Sequence, residues 1–257
     1  MESRRLWVRQ LLNRKRGVLC RLAYHYPSLL RFLPTTRPLS IHNYRFQDQT
    51  SARDLLVFLP GIGDCAADFE AKGLLGLVRQ TNWPVDIVTV DAHYGYYADR
   101  TILDQLHRDV FLPAQAVGYR HVWLAGISLG GFGALLYTSR YPDHITGVIA
   151  LAPFLGDRSV IHEISTAGGL HTWLGENATD EVRLLWHWLR GYRRSDSPSS
   201  PLMYLGFGNE DSFAEGHRLL AAALPSNQVL VVRGGHQWSV WEQLWQGFLE
   251  RKLQVPD

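Results

Sequence analysis

Residues 126–131 read Gly-Ile-Ser-Leu-Gly-Gly, and they lie between an apolar run at residues 121–125 and a helix-like run at residues 132–140. This order predicts a strand that turns sharply into a helix, with one glycine two positions before Ser128 and another two positions after it. Because glycine has no Cβ, it allows a tight turn that would leave the serine hydroxyl exposed. Ser128 is therefore the first candidate functional residue. The alternative is a glycine-rich helix start with Ser128 as its cap.

Strands and helices are predicted to alternate along most of the chain. Short apolar runs such as residues 54–59 (DLLVFL) and 85–90 (VDIVTV) are typical of parallel strands buried on both faces. The predicted strands are residues 40–47, 54–59, 85–90, 121–125, 145–151, 202–207 and 228–232. The predicted helices are residues 66–80, 99–117, 129–140, 178–194, 215–224 and 239–252, with Pro113 as a kink or break in the second. The pattern indicates an α/β fold in which a mostly parallel central sheet, with residues 40–47 at its edge, has helices on both faces.

A single domain is expected to hold these elements, because 257 residues of which 46% are hydrophobic can bury one large core. We place this domain at residues 39–257. Residues 153–201 interrupt the alternation with loop-like glycines before the predicted helix at residues 178–194. We therefore expect residues 155–198 to form a small lid insertion over Ser128.

Charge is distributed unevenly along the chain. The formal net charge is +2, yet the first 50 residues carry ten Lys or Arg and two Asp or Glu, and the rest carry sixteen basic and twenty-two acidic residues. Residues 1–38 therefore form a separate basic segment, with one or two amphipathic helices predicted within residues 4–33. An arginine-rich helix bearing Trp7 could make a peripheral contact with a membrane surface, and the alternative is a helix packed across the domain. We do not expect nucleic-acid binding, because the basic segment is short and the rest of the chain is acidic.

The sequence also indicates a compartment. No run approaches the ~18 apolar residues of a membrane span, and the first residues lack the apolar core of a secretory signal. The two cysteines, Cys20 and Cys65, cannot form a disulfide framework and have no metal-ligand spacing. We expect a cytoplasmic protein, with the peripheral membrane contact as an additional possibility.

Two further residues could activate Ser128. Serine is a poor nucleophile unless a neighbouring base takes its proton, and a histidine base is oriented by a carboxylate at its other ring nitrogen. His236 lies in a glycine-flanked loop directly after a late strand, and Asp211 lies in the loop after the predicted strand at residues 202–207. We predict that Ser128, Asp211 and His236 act together, with Glu210 as the competing acid. A purely structural role is the alternative for His236.

The order Ser, Asp, His along the chain is that of α/β-hydrolases. Residues 126–135 (GISLGGFGAL) resemble the G-x-S-M-G-G-x-G-A-L run of the esterase D and antigen 85-like branch, with Leu129 in place of the usual Met. Residues 235–241 (GHQWSVW) are similar to the G-H-x-W-x-x-W ending of that branch, and residues 108–113 to its helix before the nucleophile strand. The resemblance implies an α/β-hydrolase fold and a serine esterase that hydrolyses a small-molecule carboxylic ester or thioester without metal or organic cofactor. Residues 1–38 have no counterpart in it.

Two loops are expected to complete the site. In α/β-hydrolases the loop after the third strand and the residue after the nucleophile each supply a backbone N–H to the developing oxyanion. We therefore expect the N–H groups of Ile62 and Leu129 in these roles, with Gly63 as the alternative to Ile62. His93, Tyr94 and Phe154 follow strands and are predicted to contact the substrate. An acyltransferase and a non-catalytic hydrolase-fold protein that binds at a membrane surface are the alternative functions.

Overall fold

The computed structural model describes residue 35 and residues 38–46, 54–175, 179–192 and 200–251. The amphipathic helices predicted within residues 4–33 lie outside these residues, so their packing and their membrane contact stay predictions. None of the helices in the described ranges has the length and apolar character needed to cross a membrane.

A seven-stranded sheet forms the centre of the molecule. Its strands are β1 (Ile41–Tyr44), β2 (Asp54–Leu59), β3 (Val85–Val90), β4 (His121–Ile127), β5 (Gly147–Leu151), β6 (Leu202–Gly208) and β7 (Val229–Val232). Their order across the sheet is β1-β3-β2-β4-β5-β6-β7. β1 pairs antiparallel with β3 at one edge, and all other neighbouring strands are parallel. The predicted mostly parallel sheet is confirmed, and so is the edge position of its first strand.

Helices cover both faces of this sheet. The α-helices of the described ranges are α1 (Asp68–Ala71), α2 (Leu74–Arg79), α3 (Tyr94–Ala98), α4 (Ile102–Leu106), α5 (Leu112–Val117), α6 (Leu129–Arg140), α7 (Arg158–Thr166), α8 (Glu181–Tyr192), α9 (Ala214–Ala221) and α10 (Trp238–Glu250). One hydrophobic cluster joins the sheet to α3 through α9, and a second joins its other face to α1, α2 and α10. Every residue of β2 and β3 is buried between these layers, as their continuous apolar sequences predict.

Two predicted helices are interrupted in the structure. The helix expected at residues 66–80 is divided into α1 and α2 at Gly73, whose φ of 84° belongs to the left-handed region. The helix expected at residues 99–117 passes from α4 through a π-helical turn at His107–Phe111 into α5. Pro113 lies in the first turn of α5 and has no N–H to donate, so the interruption falls beside the residue that predicts it.

The insertion at residues 155–198 differs from the expected lid. Its described residues form α7 and α8, which place Trp173, Trp186 and Leu189 in the larger hydrophobic cluster. α8 packs against α6, and α7 packs against α9. The described part of the insertion thus belongs to the helical layer on one face of the sheet, because these three side chains are buried there and no described residue of the insertion lines the pocket at Ser128.

Candidate active site

Ser128 lies at the sharp turn between β4 and α6. Its φ of 52° and ψ of −112° are unfavourable for a residue with a side chain, so the surroundings must hold this conformation. The N–H of Ser128 donates to the carbonyl of Leu151, and the N–H of Phe154 donates to the carbonyl of Ser128, both at 2.9 Å. A methyl group added at Gly126 would lie 2.1 Å from the carbonyl oxygen of Gly130. The turn therefore depends on glycine at this position, as the sequence predicts.

Three side chains from separate loops meet at this turn. His236 Nε2 lies 2.9 Å from Ser128 Oγ, and His236 Nδ1 lies 2.8 Å from Asp211 Oδ2. Asp211 follows β6 and His236 follows β7, so the ends of parallel strands bring both residues to the same edge of the sheet as Ser128. The side chain of Asp211 has no exposed surface, whereas that of His236 is 23% exposed. The structure thus assembles the three residues that the sequence singles out.

The ionisation of Asp211 fixes the hydrogen-bonding roles of His236. Burial disfavours the carboxylate, but the hydrogen bonds from His236 and from the N–H of Phe213 outweigh it and lower the pKa of Asp211. A carboxylate can only accept, so Nδ1 of His236 carries the proton that it donates to Asp211. Nε2 is then left as the acceptor for the hydroxyl of Ser128. In this arrangement the imidazole can remove the serine proton.

Glu210 takes no part in this chain of hydrogen bonds. Its side chain is more than half exposed, and its Oε1 lies 3.4 Å from Nε of Arg233. Between the two candidate acids, the geometry favours Asp211 as the partner of His236.

The residues expected to hold an oxyanion lie beside the serine. Ile62, Gly63 and Leu129 line the same pocket as Ser128. Leu129 is the first residue of α6, and an N–H in the first turn of a helix has no acceptor within that helix. Ile62 and Gly63 belong to a turn after β2 that is closed by a hydrogen bond from the N–H of Asp64 to the carbonyl of Gly61. Their roles as oxyanion donors stay predictions.

A pocket of about 700 Å³ opens over these groups. Most of its wall is apolar or aromatic. Its lining residues are Gly61, Ile62, Gly63, Asp64, Tyr94, Ser128, Leu129, Phe154, Phe213, His236, Gln237, Trp238 and Trp241. No described residue of the insertion at residues 155–198 is among them, so the loops after the strands form the wall.

Of the three predicted substrate contacts, Tyr94 and Phe154 line the pocket and His93 does not. Nδ1 of His93 accepts a hydrogen bond from the N–H of Gly95 and caps α3, and its ring packs on Tyr96 at 4.4 Å between centroids. The geometry of His93 therefore fits a helix cap. Its contact with substrate stays a prediction.

Sequence reasoning did not assign several wall residues. Trp238 and Trp241 belong to the run that resembles the ending of the esterase branch, but their type alone does not tell a pocket wall from a core. Asp64 directly follows the predicted oxyanion loop, and its Oδ1 accepts a hydrogen bond from Nε1 of Trp238 at 3.1 Å. These two residues are 174 positions apart, so their contact exists only in the folded chain.

A second histidine lies beneath the site. His217 on α9 is completely buried, and its Nε2 lies 2.8 Å from the carbonyl oxygen of Pro153. Burial lowers the pKa of His217 to about 4, although the Pro153 carbonyl and the charge of Asp211 both favour protonation. His217 is therefore neutral at pH 7 and donates from Nε2. This hydrogen bond ties α9 to the segment that carries Phe154.

Parts of this chain are similar in sequence to known proteins. A family model described as alpha/beta hydrolase fold matches residues 91–181. An acetyl esterase of Caldicellulosiruptor saccharolyticus is 24% identical over 190 residues, which cover 65% of this chain and 66% of that protein. The uncharacterized protein YbdG of Bacillus subtilis is 30% identical over 123 residues, covering 45% of this chain and 36% of that protein. The matched stretch is thus shorter than two thirds of either relative.

Solved structures extend the likeness to most of the chain. A ferulic acid esterase superposes with a TM-score of 0.54 at 17% identity and covers 83% of this chain and 97% of its own. The S-formylglutathione hydrolase FrmB of Staphylococcus aureus superposes with a TM-score of 0.54 at 12% identity and covers 85% of this chain and 98% of its own. At such low identities these likenesses concern the fold.

Proposed function

We propose that this chain is a serine esterase of the α/β-hydrolase type in which Ser128 attacks the ester carbonyl. The observation that carries the proposal is the unbroken chain of hydrogen bonds from Ser128 Oγ through His236 to Asp211. The likeness to an acetyl esterase supports a carboxylic ester as the substrate. The apolar pocket beside Ser128 supports a small organic molecule over a polymer chain that would need an open groove.

The first half-reaction forms an acyl-enzyme. Nε2 of His236 takes the proton from Ser128 Oγ as the oxygen bonds to the carbonyl carbon, and Asp211 stabilises the resulting imidazolium. The carbonyl oxygen becomes an oxyanion, which we assign to the N–H groups of Ile62 and Leu129, with Gly63 as the alternative to Ile62. His236 then gives its proton to the leaving alcohol or thiol as the bond to the carbonyl carbon breaks.

The second half-reaction repeats these steps with water. The side chain of His236 is partly exposed and lines the pocket, so water that enters the pocket can contact the imidazole. The imidazole takes a proton from the water as it attacks the acyl carbon, and returns a proton to Ser128 as the acid leaves. An alcohol that takes the place of water would give an acyl transfer, in which a new ester forms only when the acceptor is present.

The proposal is tested by labelling the protein with a fluorophosphonate probe, mapping the labelled residue by mass spectrometry, and measuring hydrolysis of p-nitrophenyl acetate and butyrate. Ser128→Ala and His236→Ala should abolish labelling, and Ser128→Ala should lower kcat on the order of 10⁴-fold or more. Ser139→Ala is the matched control, because Ser139 lies on the same helix and its hydroxyl donates to the carbonyl of Leu136. Absence of labelling in folded protein, or full activity in Ser128→Ala, would overturn the proposal.

A further inference from the structure

Two aromatic rings from different parts of the fold contact the imidazole of His236. The ring of Phe213 lies 5.2 Å from it between centroids, at an interplanar angle of 74°. The indole of Trp241 lies 5.1 Å from it, at an angle of 85°. Both contacts are edge to face, an arrangement in which aromatic rings attract each other. Phe213 lies in the loop after β6 and Trp241 belongs to α10, so two elements converge on the proposed base.

The hydrogen bonds of His236 leave one rotation of its ring unrestrained. Nδ1 is bound to Asp211 and Nε2 to Ser128. A rotation about the line through these two nitrogens changes neither distance, but it turns the N–H and the lone pair away from their partners, and a hydrogen bond weakens steeply as its angle closes. The second side-chain torsion of histidine is broad, and His236 lies in a loop between β7 and α10. Contacts with the ring are therefore needed to fix its orientation.

Trp241 can fix this orientation because its own position is fixed. It is 5% exposed and belongs to the hydrophobic cluster that joins α1, α2 and α10 to the sheet. Its ring also contacts that of Trp238 edge to face, 5.3 Å apart between centroids. Side chains in such close-packed interiors have little freedom to move. Within the described part of the chain, Nε1 of Trp241 has no hydrogen-bond partner, so packing holds the indole in place.

Phe213 contacts the proposed catalytic residues with two different groups. Its backbone N–H donates to Asp211 at 2.8 Å, and its ring packs on His236. The ring also contacts that of Phe154 in the pocket wall. Phe213 is only partly buried, so the fold should tolerate a smaller side chain at this position better than at Trp241.

We propose that Trp241 and Phe213 are positioning residues that keep the imidazole of His236 aligned with Ser128 and Asp211. The inference rests on the proposed esterase function, in which His236 moves a proton in both half-reactions. A misplacement of a reacting group by about 1 Å can lower a rate about 100-fold. Loss of either ring should therefore lower kcat on the order of 10- to 100-fold.

Variants that remove a ring and variants that keep one test the proposal. Trp241→Leu and Phe213→Leu remove a ring, and each should lower kcat for p-nitrophenyl acetate about 10- to 100-fold with a smaller change in KM. Trp241→Phe and Phe213→Tyr keep an aromatic ring, and their kcat should stay within about threefold of wild type. Both leucine variants keep the backbone, so the N–H of residue 213 can still donate to Asp211.

Two controls match the other effects of these substitutions. Trp245→Leu removes a fully buried indole from the same helix, but Trp245 contacts Phe58 and does not line the pocket. It should lower the free energy of unfolding without lowering kcat of the folded protein. Phe154→Leu removes a ring from the same pocket wall, and the ring contacts described for Phe154 are with Phe132 and Phe213. It should change KM more than kcat.

The proton between His236 and Asp211 gives a readout that does not depend on turnover. In the wild-type protein the Nδ1 proton should give a low-field proton NMR signal, because it lies in a hydrogen bond to a carboxylate. Its absence in His236→Ala identifies the signal. The signal should shift or broaden in Trp241→Leu and Phe213→Leu and stay in place in Trp245→Leu, because only the first two substitutions remove a contact with the imidazole.

The outcomes separate this inference from the esterase proposal. Wild-type kcat and an unchanged NMR signal in the folded leucine variants of Trp241 and Phe213, or an equal loss of kcat in Trp245→Leu, would overturn the inference. If Trp241→Leu does not fold, Phe213→Leu decides by the same two measurements. Fluorophosphonate labelling of Ser128 in the wild-type protein would leave the esterase proposal intact in each case, whereas absence of labelling in folded wild-type protein would overturn both.

Discussion

The buried histidine beneath the site predicts a specific dependence of stability on pH. His217 has no exposed surface, and its pKa is lowered to about 4 in the folded protein, first of all by burial. In the unfolded chain the same imidazole has its ordinary pKa of about 6.5. Between these two values the unfolded state binds a proton that the folded state does not. The contribution of His217 to the free energy of unfolding therefore falls as the pH is lowered from about 6.5 towards 4.

The magnitude follows from the difference between the two pKa values. One proton taken up only by the unfolded state corresponds to a slope of about 1.4 kcal/mol per pH unit at most. Integrated from neutral pH to the folded-state pKa of about 4, the loss is roughly 3 kcal/mol. For a domain of this size that is a sizeable part of a total free energy of unfolding of about 5–15 kcal/mol.

His217→Gln is the decisive variant, because a glutamine amide can still donate to the carbonyl of Pro153 but does not titrate. We expect its free energy of unfolding to depend less steeply on pH between about 4.5 and 6.5, by up to about 1.4 kcal/mol per pH unit. Urea unfolding at several pH values measures both slopes, and His162→Gln on the exposed side of α7 is the histidine control. Parallel curves for wild type and His217→Gln would refute the assignment of His217 as the buried neutral group.

Two other predictions test local packing. Gly126→Ala should lower the free energy of unfolding by about 3 kcal/mol or more, because the new methyl would meet the Gly130 carbonyl at 2.1 Å. Gly76→Ala on α2 is the control. Its methyl meets nothing within 4 Å, and it should raise the free energy of unfolding by up to about 1 kcal/mol. Urea unfolding compares them, and similar effects would contradict the packing argument. Asp157→Ala should cost about 1 kcal/mol, seen as a lower Tm, because the Asp157 carboxylate accepts the N–H groups of Ser159 and Val160 at the start of α7. Asp157→Ser should restore most of this loss, and a Tm equal to that of Asp157→Ala would count against the cap.

The features that could be predicted from the sequence are those encoded by neighbouring residues. β2 and β3 have the predicted bounds because a continuous apolar run buried on both faces leaves few other conformations. The turn at Ser128 could be predicted because glycines two positions away on either side allow close backbone contacts. Ser128, Asp211 and His236 each follow a predicted strand, and the carboxyl ends of parallel strands lie at one edge of a sheet. The sequence could therefore predict that these three residues lie close together.

The features that could not be predicted depend on distant contacts. The apolar residues of α7 and α8 can be identified in the sequence, but the neighbouring residues do not show whether these helices cover the pocket or join the helical layer beside α6. The break at Gly73 falls inside a continuous apolar pattern, so periodicity alone extends the helix through it. The contact between Asp64 and Trp238 requires the oxyanion loop and the start of α10 to meet, and only the folded sheet brings them together.

The loops that form the pocket wall also position the proposed catalytic groups. Their side chains form the wall, whereas their backbone N–H groups position the catalytic residues. The backbone N–H of Phe213 donates to Asp211 at 2.8 Å, and the backbone N–H of Phe154 donates to the carbonyl of Ser128 at 2.9 Å. The rings of the same two residues contact each other edge to face in the wall, 5.9 Å apart between centroids. A substitution there would change the shape of the pocket and leave both backbone hydrogen bonds available. Because no described residue of the insertion lines the pocket, we expect differences in substrate size to depend on such side chains in the strand-end loops.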